Sequence, residues 1–313
     1  LAPRGAWLLA ALTERLAPFV ERATAGAAWL RIEQPPFEGP EAARPRRQSI
    51  ALVLRQALEA LQAAGGGQAP FLGLYGALAY SFAYLFEDVP GAKPRAVPDF
   101  HLFVADTVLS FEHLGRSAQV HVARANATQA QADAAALAAR LRAALAGPAP
   151  AAPGFALSGL ALSPSEEAYL AQVEAARELC RQGELMELVL SRRLSARAEG
   201  CPLALYEAYR EVNPAPYLFY AQLAADEALL GASPEVMLKV EGGKATLRPI
   251  SGSAPRGASA IDDHHRMLGL LNSAKEKAEL DMLIDLARND LARVCAPGVA
   301  VEDYRVVEKY ARV

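Results

Sequence analysis

Cysteine is scarce in this chain: Cys180, Cys201 and Cys295 are the only three in 313 residues. Their odd number and the absence of any C-x-x-C spacing argue against a disulfide framework or a structural zinc, and for a reducing compartment, the cytoplasm. A surplus of positive charge is also missing. Thirty-two Lys and Arg stand against 35 Asp and Glu for a net charge of −3, so neither nucleic acid nor an anionic membrane is an expected partner. A small anionic substrate would need its countercharge supplied locally. Nor is there a long apolar run at the start, because LAPRGAWLLAALTERL is broken by Thr13, Glu14 and Arg15. That run is too short to cross a bilayer, lacks a small-residue cleavage site and continues as an amphipathic helix. The first residue is Leu1 rather than Met, so a fragment is expected.

What is present is apolar residues, 52% of the chain. They are enough for the core of one large or two ordinary domains and exclude a disordered tail. Helical spacing predicts a helix over Ile50 to Ala64, stopped by three glycines, and FLGLYGALAYSFAYLFE suits a buried strand leading into a helix. A strand is expected over Phe100 to Ser110, turning at Leu114-Gly115-Arg116 into a second over Ala118 to Val122. The Ala-rich stretch Ala127 to Ala146 reads as a helix. It runs into GPAPAAPGF, a Pro/Gly stretch that cannot continue a helix and serves as the linker between a region 1–150 and a region 151–313.

The second region opens on Ser163-Pro164-Ser165-Glu166, where Ser163 as N-cap and Glu166 as its partner spell a capping box for a helix running to about Gln182. ELMELVLSRRLSARA then reads as a long strand and Pro202 to Val212 as a short helix. Further strands are expected at Tyr217 to Leu223, Ala228 to Ala232, Val236 to Glu241 and Ala245 to Ile250, the last two joined by a tight Gly242-Gly243 turn. Ser273 to Val294 is the strongest helix pattern in the chain. A final strand is expected over Val299 to Val307. Runs of strands bracketed by helices define an α+β class.

Four segments carry chemistry in a fixed order: NPAPYLFY (213–220), LLGASPEVMLKV (229–240), RPISGSAPRG (248–257) and KEKAELDMLIDLARNDLARVCAPG (275–298). Together they resemble the chorismate-utilising enzymes, and within them the synthase component of anthranilate synthase. The resemblance is strong over about 163–313 and extends weakly to FLGLYGALAYSFAYLFE. It implies two packed, mostly antiparallel sheets flanked by helices in an αββα order, chorismate as substrate and Mg²⁺ as cofactor. A glutamine amidotransferase domain or subunit supplying ammonia is implied as partner.

Chorismate is a dianion whose ring hydroxyl must leave, so its site needs a cation for a carboxylate, an acid for the hydroxyl and donors that orient the ring. Glu276 and Glu279 stand three apart on one helix face and can converge on a hard cation. Spacing alone favours a solvated, capped helix; the match of KEKAEL to the family's metal-binding helix reverses that and assigns them to Mg²⁺, with Glu279 as the direct ligand. Glu235, after Ser233-Pro234, matches the family's general acid, and burial is expected to raise its pKa. Gly252 and Ser253 match the Gly-Thr pair that holds a substrate carboxylate. Asn213, Pro214, Pro216 and Tyr217 match a segment of the tryptophan effector site, although an N-P-x-P stretch is also simply a rigid turn. The five histidines show no metal-ligand spacing, and Arg288-Asn289-Asp290 is given a structural role at the helix end.

The subfamilies differ in their lysines. Glu187 stands where the water-using isochorismate and salicylate synthases carry one, and Ser251 where aminodeoxychorismate synthase carries another. Both are therefore disfavoured. Anthranilate synthase of the fused synthase/glutaminase type remains, with the phenazine-type 2-amino-2-deoxyisochorismate synthase as the alternative. A catalytically inactive fragment is the rival of another class, because the resemblance stops at Val313, before the family's histidine and remaining metal ligands.

Overall fold

Residues 50 to 64 bring Val53, Ala57, Ala60 and Leu61 onto one helical face, and that face organises the first half of the molecule. The computed structural model describes residues 6–24, 27–32, 49–65, 71–87, 97–148, 154–185, 187–296 and 298–313. The chain divides into two compact units, Leu1–Ala149 with Asn289–Val299, and Pro150–Arg288 with Ala300–Val313.

In the first unit α1 (Ala6–Arg15) is followed by a single 3-10 turn, then by the antiparallel pair β1 (Val20–Ala23) and β2 (Ala28–Leu30). Helix α2 (Ile50–Ala64) packs on α1. Leu16, Val53 and Ala57 form the buried cluster, with Leu12, Phe19, Ile32, Ile50 and Leu74 packed around it. Leu8 and Leu61 are fully buried, each burial contributing about 1.5–3 kcal/mol. The expected strand and helix in FLGLYGALAYSFAYLFE are β3 (Leu74–Leu78) and a 3-10 helix at Tyr80–Leu85.

The strand expected over 100–110 is two strands. β4 (Phe100–Val104) pairs with β3, whereas β5 (Thr107–Glu112) pairs with β6 (Ser117–Val122). The break falls at Asp106, whose carboxylate accepts from the Thr107 hydroxyl at 2.8 Å and faces the Arg124 guanidinium at 3.3 Å. That guanidinium is only 5% exposed, and Asp133 on α3 (Ala127–Ala146) completes its pairing at 2.7 Å. Asn126 caps α3, its Oδ1 accepting from the Gln129 amide at 2.8 Å. Most of the linker stretch, 149–153, lies outside the described residues.

The second unit begins with a strand that the sequence did not reveal, β7 (Phe155–Ser163), which leads into α4 (Glu166–Arg181) and pairs with β8 (Arg193–Gly200). Ser163 ends the strand, and the N-cap of α4 is Ser165, whose Oγ accepts from the Ala168 amide at 3.3 Å. The long strand expected from residue 184 starts only at Arg193. Among the described residues no strand is paired with 187–192, and a strand without a ladder partner has nothing to hold it. Helix α5 (Pro202–Val212), the hairpin β9 (Tyr217–Ala224) and β10 (Glu227–Ser233), and the short hairpin β11 (Lys239–Glu241) and β12 (Lys244–Thr246) follow. The last hairpin is shorter at both ends than its apolar residues suggested, because its pairing stops at Lys239↔Thr246. Gly242 and Gly243, both at positive φ, make its turn.

Helices α6 (Ala260–Asn272) and α7 (Ala274–Val294) come next, the latter within one residue of expectation. Residues 299–307 form no strand among the described residues. Side-chain ties run instead from this segment and the residues after it to earlier ones: Lys244 to Glu302 at 2.5 Å, Arg248 to Glu308, and Tyr304 to Asp281 at 2.7 Å. All six strand pairs among the described residues are antiparallel, and with the flanking helices they make the α+β architecture expected from the pattern. Among the described residues every buried one lies between Leu8 and Ala123, and none belongs to the second unit.

Candidate active site

Helix α7 starts at a Ser273 cap. The Ser273 Oγ accepts from the Glu276 amide at 3.3 Å, which fixes the first turn and with it the aim of Glu276. One turn on, Glu279 stands on the same face, and the two side chains are 24% and 32% exposed, half-buried rather than solvated. Lys275 bridges them, its Nζ 3.1 Å from Glu276 Oε1 and 2.7 Å from Glu279 Oε2. The Lys275 ammonium first, and the Ser251 hydroxyl second, hold the Glu279 carboxyl below the usual carboxylate range. The Ser251 Oγ is buried and makes no hydrogen bond of ordinary geometry; its influence on Glu279 is one of proximity.

The RPISGS turn lies on this helix face. Gly252 adopts φ +75°, and a Cβ built there would stand 2.7 Å from Glu276 Oε2 and 3.2 Å from Leu270 Cδ1. The positive φ favours glycine, and any added Cβ would push the Glu276 carboxylate aside. Gly252, Ser251, Glu276 and Glu279 are thus brought together, and Ser253 follows exposed to solvent.

A second group forms on the β9–β10 hairpin. Pairing sets Tyr217 opposite Ser233, two residues before Glu235, so the NPAP segment and the SPE turn share one end of a hairpin. The Ser233 Oγ accepts from the Glu235 amide at 3.1 Å, and the Glu235 side chain is exposed, without the burial that the sequence reading required. Asn213 closes α5, its amide donating to the Tyr209 carbonyl at 2.8 Å, with Pro214 and Pro216 exposed after it. Among the described residues no hydrogen bond or ion pair joins Glu235 to the Glu276–Glu279 group.

Pattern reading missed the clamp that holds the turn. Arg256 grips Asp263 at the start of α6 with a two-pronged bond, Nε to Oδ1 at 2.8 Å and Nη2 to Oδ2 at 2.9 Å, while the Gly257 amide donates to Oδ1 at 2.9 Å. Arg256 also donates to the carbonyls of Tyr310 and Arg312. Seven residues separate the two charges, a spacing with no local signature. The Arg256 fork, then the Gly257 amide, hold the Asp263 carboxyl far below its ordinary value. A depressed carboxylate stabilises the fold above its unfolded pKa, about 3.9, and loses that contribution as pH falls through the folded value. Melting curves from pH 7 down to about 2.5 should therefore show an acid-dependent loss that Asp263→Asn reduces; an unchanged acid limb in the variant would refute this.

Among the described residues no third carboxylate, histidine or cysteine joins the Glu276–Glu279 pair. The pair already brackets a cation, the Lys275 ammonium, so its oxygens fit a hard divalent ion that keeps several waters.

The profile of the family described as chorismate binding enzyme matches residues 22–313. The chain belongs to that family. Within it, the chain is 34% identical over its whole length to an anthranilate synthase of Azospirillum brasilense, covering 40% of that protein. It is 38% identical over 78% of its length to anthranilate synthase component 1 of Thermus thermophilus, covering 53% of that one. The crystal structure of anthranilate synthase component I from Streptococcus pneumoniae superposes with a TM-score of 0.63 at 30% identity, over 78% of this chain and 55% of the other. The chain thus spans about half the length of these relatives.

Proposed function

We propose that this chain is the synthase part of an anthranilate synthase, which converts chorismate and ammonia to anthranilate, pyruvate and water in tryptophan biosynthesis. The observation that carries the reading is the packing of the Gly252 turn onto Glu276 and of Ser251 beside Glu279, which supports pairing a turn proposed to bind a carboxylate with a glutamate pair proposed to bind the cation. Glu276 and Glu279 would hold Mg²⁺, with Glu279 the direct ligand. Bound there, the ion supplies the countercharge for one chorismate carboxylate in a protein whose net charge is negative. The Gly252 backbone and Ser253 hydroxyl orient that carboxylate by hydrogen bonding.

Glu235 donates the proton on which the ring hydroxyl leaves as water. Ammonia comes from glutamine through an amidotransferase domain or subunit. Asn213, Pro214, Pro216 and Tyr217 line an effector site for tryptophan, adjacent in strand register to the SPE turn, so that occupancy of one bears on the other. The cytoplasm is the proposed location; no described helix is long and apolar enough to cross a membrane.

Incubating the complete protein that carries this chain with chorismate, ammonium and Mg²⁺ should yield a fluorescent product with the mass of anthranilate. Isochorismate, salicylate or aminodeoxychorismate as main product would overturn the assignment. A stable amino intermediate that keeps its pyruvyl group would select the 2-amino-2-deoxyisochorismate synthase reading, and no product at all would select the inactive one.

A further inference from the structure

Lys275 has no part in the chemistry just proposed, yet it holds the centre of the carboxylate pair. Its Nζ meets Glu276 Oε1 at 3.1 Å and Glu279 Oε2 at 2.7 Å, whereas Glu276 Oε2 is turned toward Gly252. The ammonium thus holds one oxygen of each carboxylate. Among the described residues no other basic side chain pairs with either carboxylate.

The arrangement follows from the helix. Lys275 and Glu279 are one turn apart, in the i,i+4 relation, so their side chains share a face. Lys275 is 73% exposed on a flexible four-carbon stem, so it can swing into water without disturbing packing. An ammonium and a hydrated divalent cation cannot fill the same gap, and leaving the gap empty would set two half-buried carboxylates against each other.

We propose that Lys275 is a resident counter-cation: it neutralises Glu276 and Glu279 in the metal-free protein, is displaced when a divalent cation binds, and so sets the metal concentration at which the site fills. The proposal rests on the assignment of Glu276 and Glu279 as metal ligands. It adds a threshold that an open carboxylate pair lacks, because each metal ion must break two existing ion pairs before making its own bonds. Once displaced, the ammonium remains tethered one residue from Glu276 and competes again whenever the ion leaves.

Mn²⁺ serves as the probe, with free ion counted by electron paramagnetic resonance in titrations of metal-stripped protein. Lys275→Met should bind Mn²⁺ about tenfold more tightly, the equivalent of two half-exposed ion pairs that no longer have to be broken. Lys277→Met removes the same charge two residues along α7 from Lys275, at a side chain that pairs with Asp281 at 2.6 Å and not with the site. It should shift affinity by no more than about twofold at physiological salt. Equal tightening in both lysine variants would reduce the effect to net charge and overturn the proposal, as would unchanged or weaker binding in Lys275→Met. Binding that appears only in Lys275→Met would support it, and binding in neither would overturn it. Glu279→Gln separates the two layers: if it leaves Mn²⁺ affinity intact, the ligand assignment itself fails. If it weakens binding while the lysine variants match, that assignment stands and the counter-cation does not.

Discussion

Gly252→Ala should lower kcat/KM for anthranilate formation from chorismate and ammonium by about a hundredfold or more, the cost of displacing a positioning group by roughly 1 Å. The added methyl would sit 2.7 Å from Glu276 Oε2 on a backbone at φ +75°, and the neighbours it meets are Glu276 on α7 and Leu270 on α6. Either the turn lifts or Glu276 rotates away, and in both cases the turn and the glutamate pair lose the register on which the proposed binding of substrate carboxylate and cation depends. The measurement is steady-state kinetics in the complete protein, with circular dichroism to confirm that the helices persist. Activity within about threefold of wild type would show that Gly252 is an ordinary strand-end turn.

Glu279→Gln should weaken Mg²⁺ dependence and activity by about ten- to a hundredfold, the usual range for changes at or beside a metal ligand. Glu166→Gln, an exposed carboxylate in the first turn of α4, is the matched control and should change neither measurably. The comparison matters because Glu279 is tied to Lys275 in the same i,i+4 way as many solvated helix pairs. What distinguishes it is its limited exposure and the Ser251 hydroxyl beside it, and equal responses at positions 166 and 279 would return it to an ordinary surface role.

Local rules located most of the elements. The bounds of α2, α3 and α5 were visible because each is decided by residues within a few positions of the end, and the glycine pair at 242–243 announced its hairpin. Strand length was not visible, because pairing rather than composition decides it. Residues 184–192 and 299–307 are as apolar as true strands, yet among the described residues they lack ladders, while β7 is a full strand whose Gly159 and flanking prolines hid it. Ser163 misled for a related reason: two serines preceded the helix, and the chain used the nearer one.

The candidate site divides the same way. Glu276 and Glu279 were legible as a pair on one face. The approach of Gly252 to Glu276, the bridging position of Lys275 and the Arg256–Asp263 clamp depend on contacts that no spacing encodes.

Arg256 has a consequence for how this half of the molecule assembles. Its bond to the Tyr310 carbonyl spans 54 positions and encloses both α6 and α7. The two helices are built from near-neighbour contacts, which form early and at little cost in chain entropy, whereas closing so wide a loop is slow and comes after them. The turn bearing Gly252 is therefore settled late, when residues 308–313 come home to Arg248 and Arg256. The pairing of Lys275 with its carboxylates is local to α7, whereas the seating of the Gly252 turn depends on this long-range closure. Anything that holds residues 308–313 away would silence the site at a distance and leave the helical signal untouched.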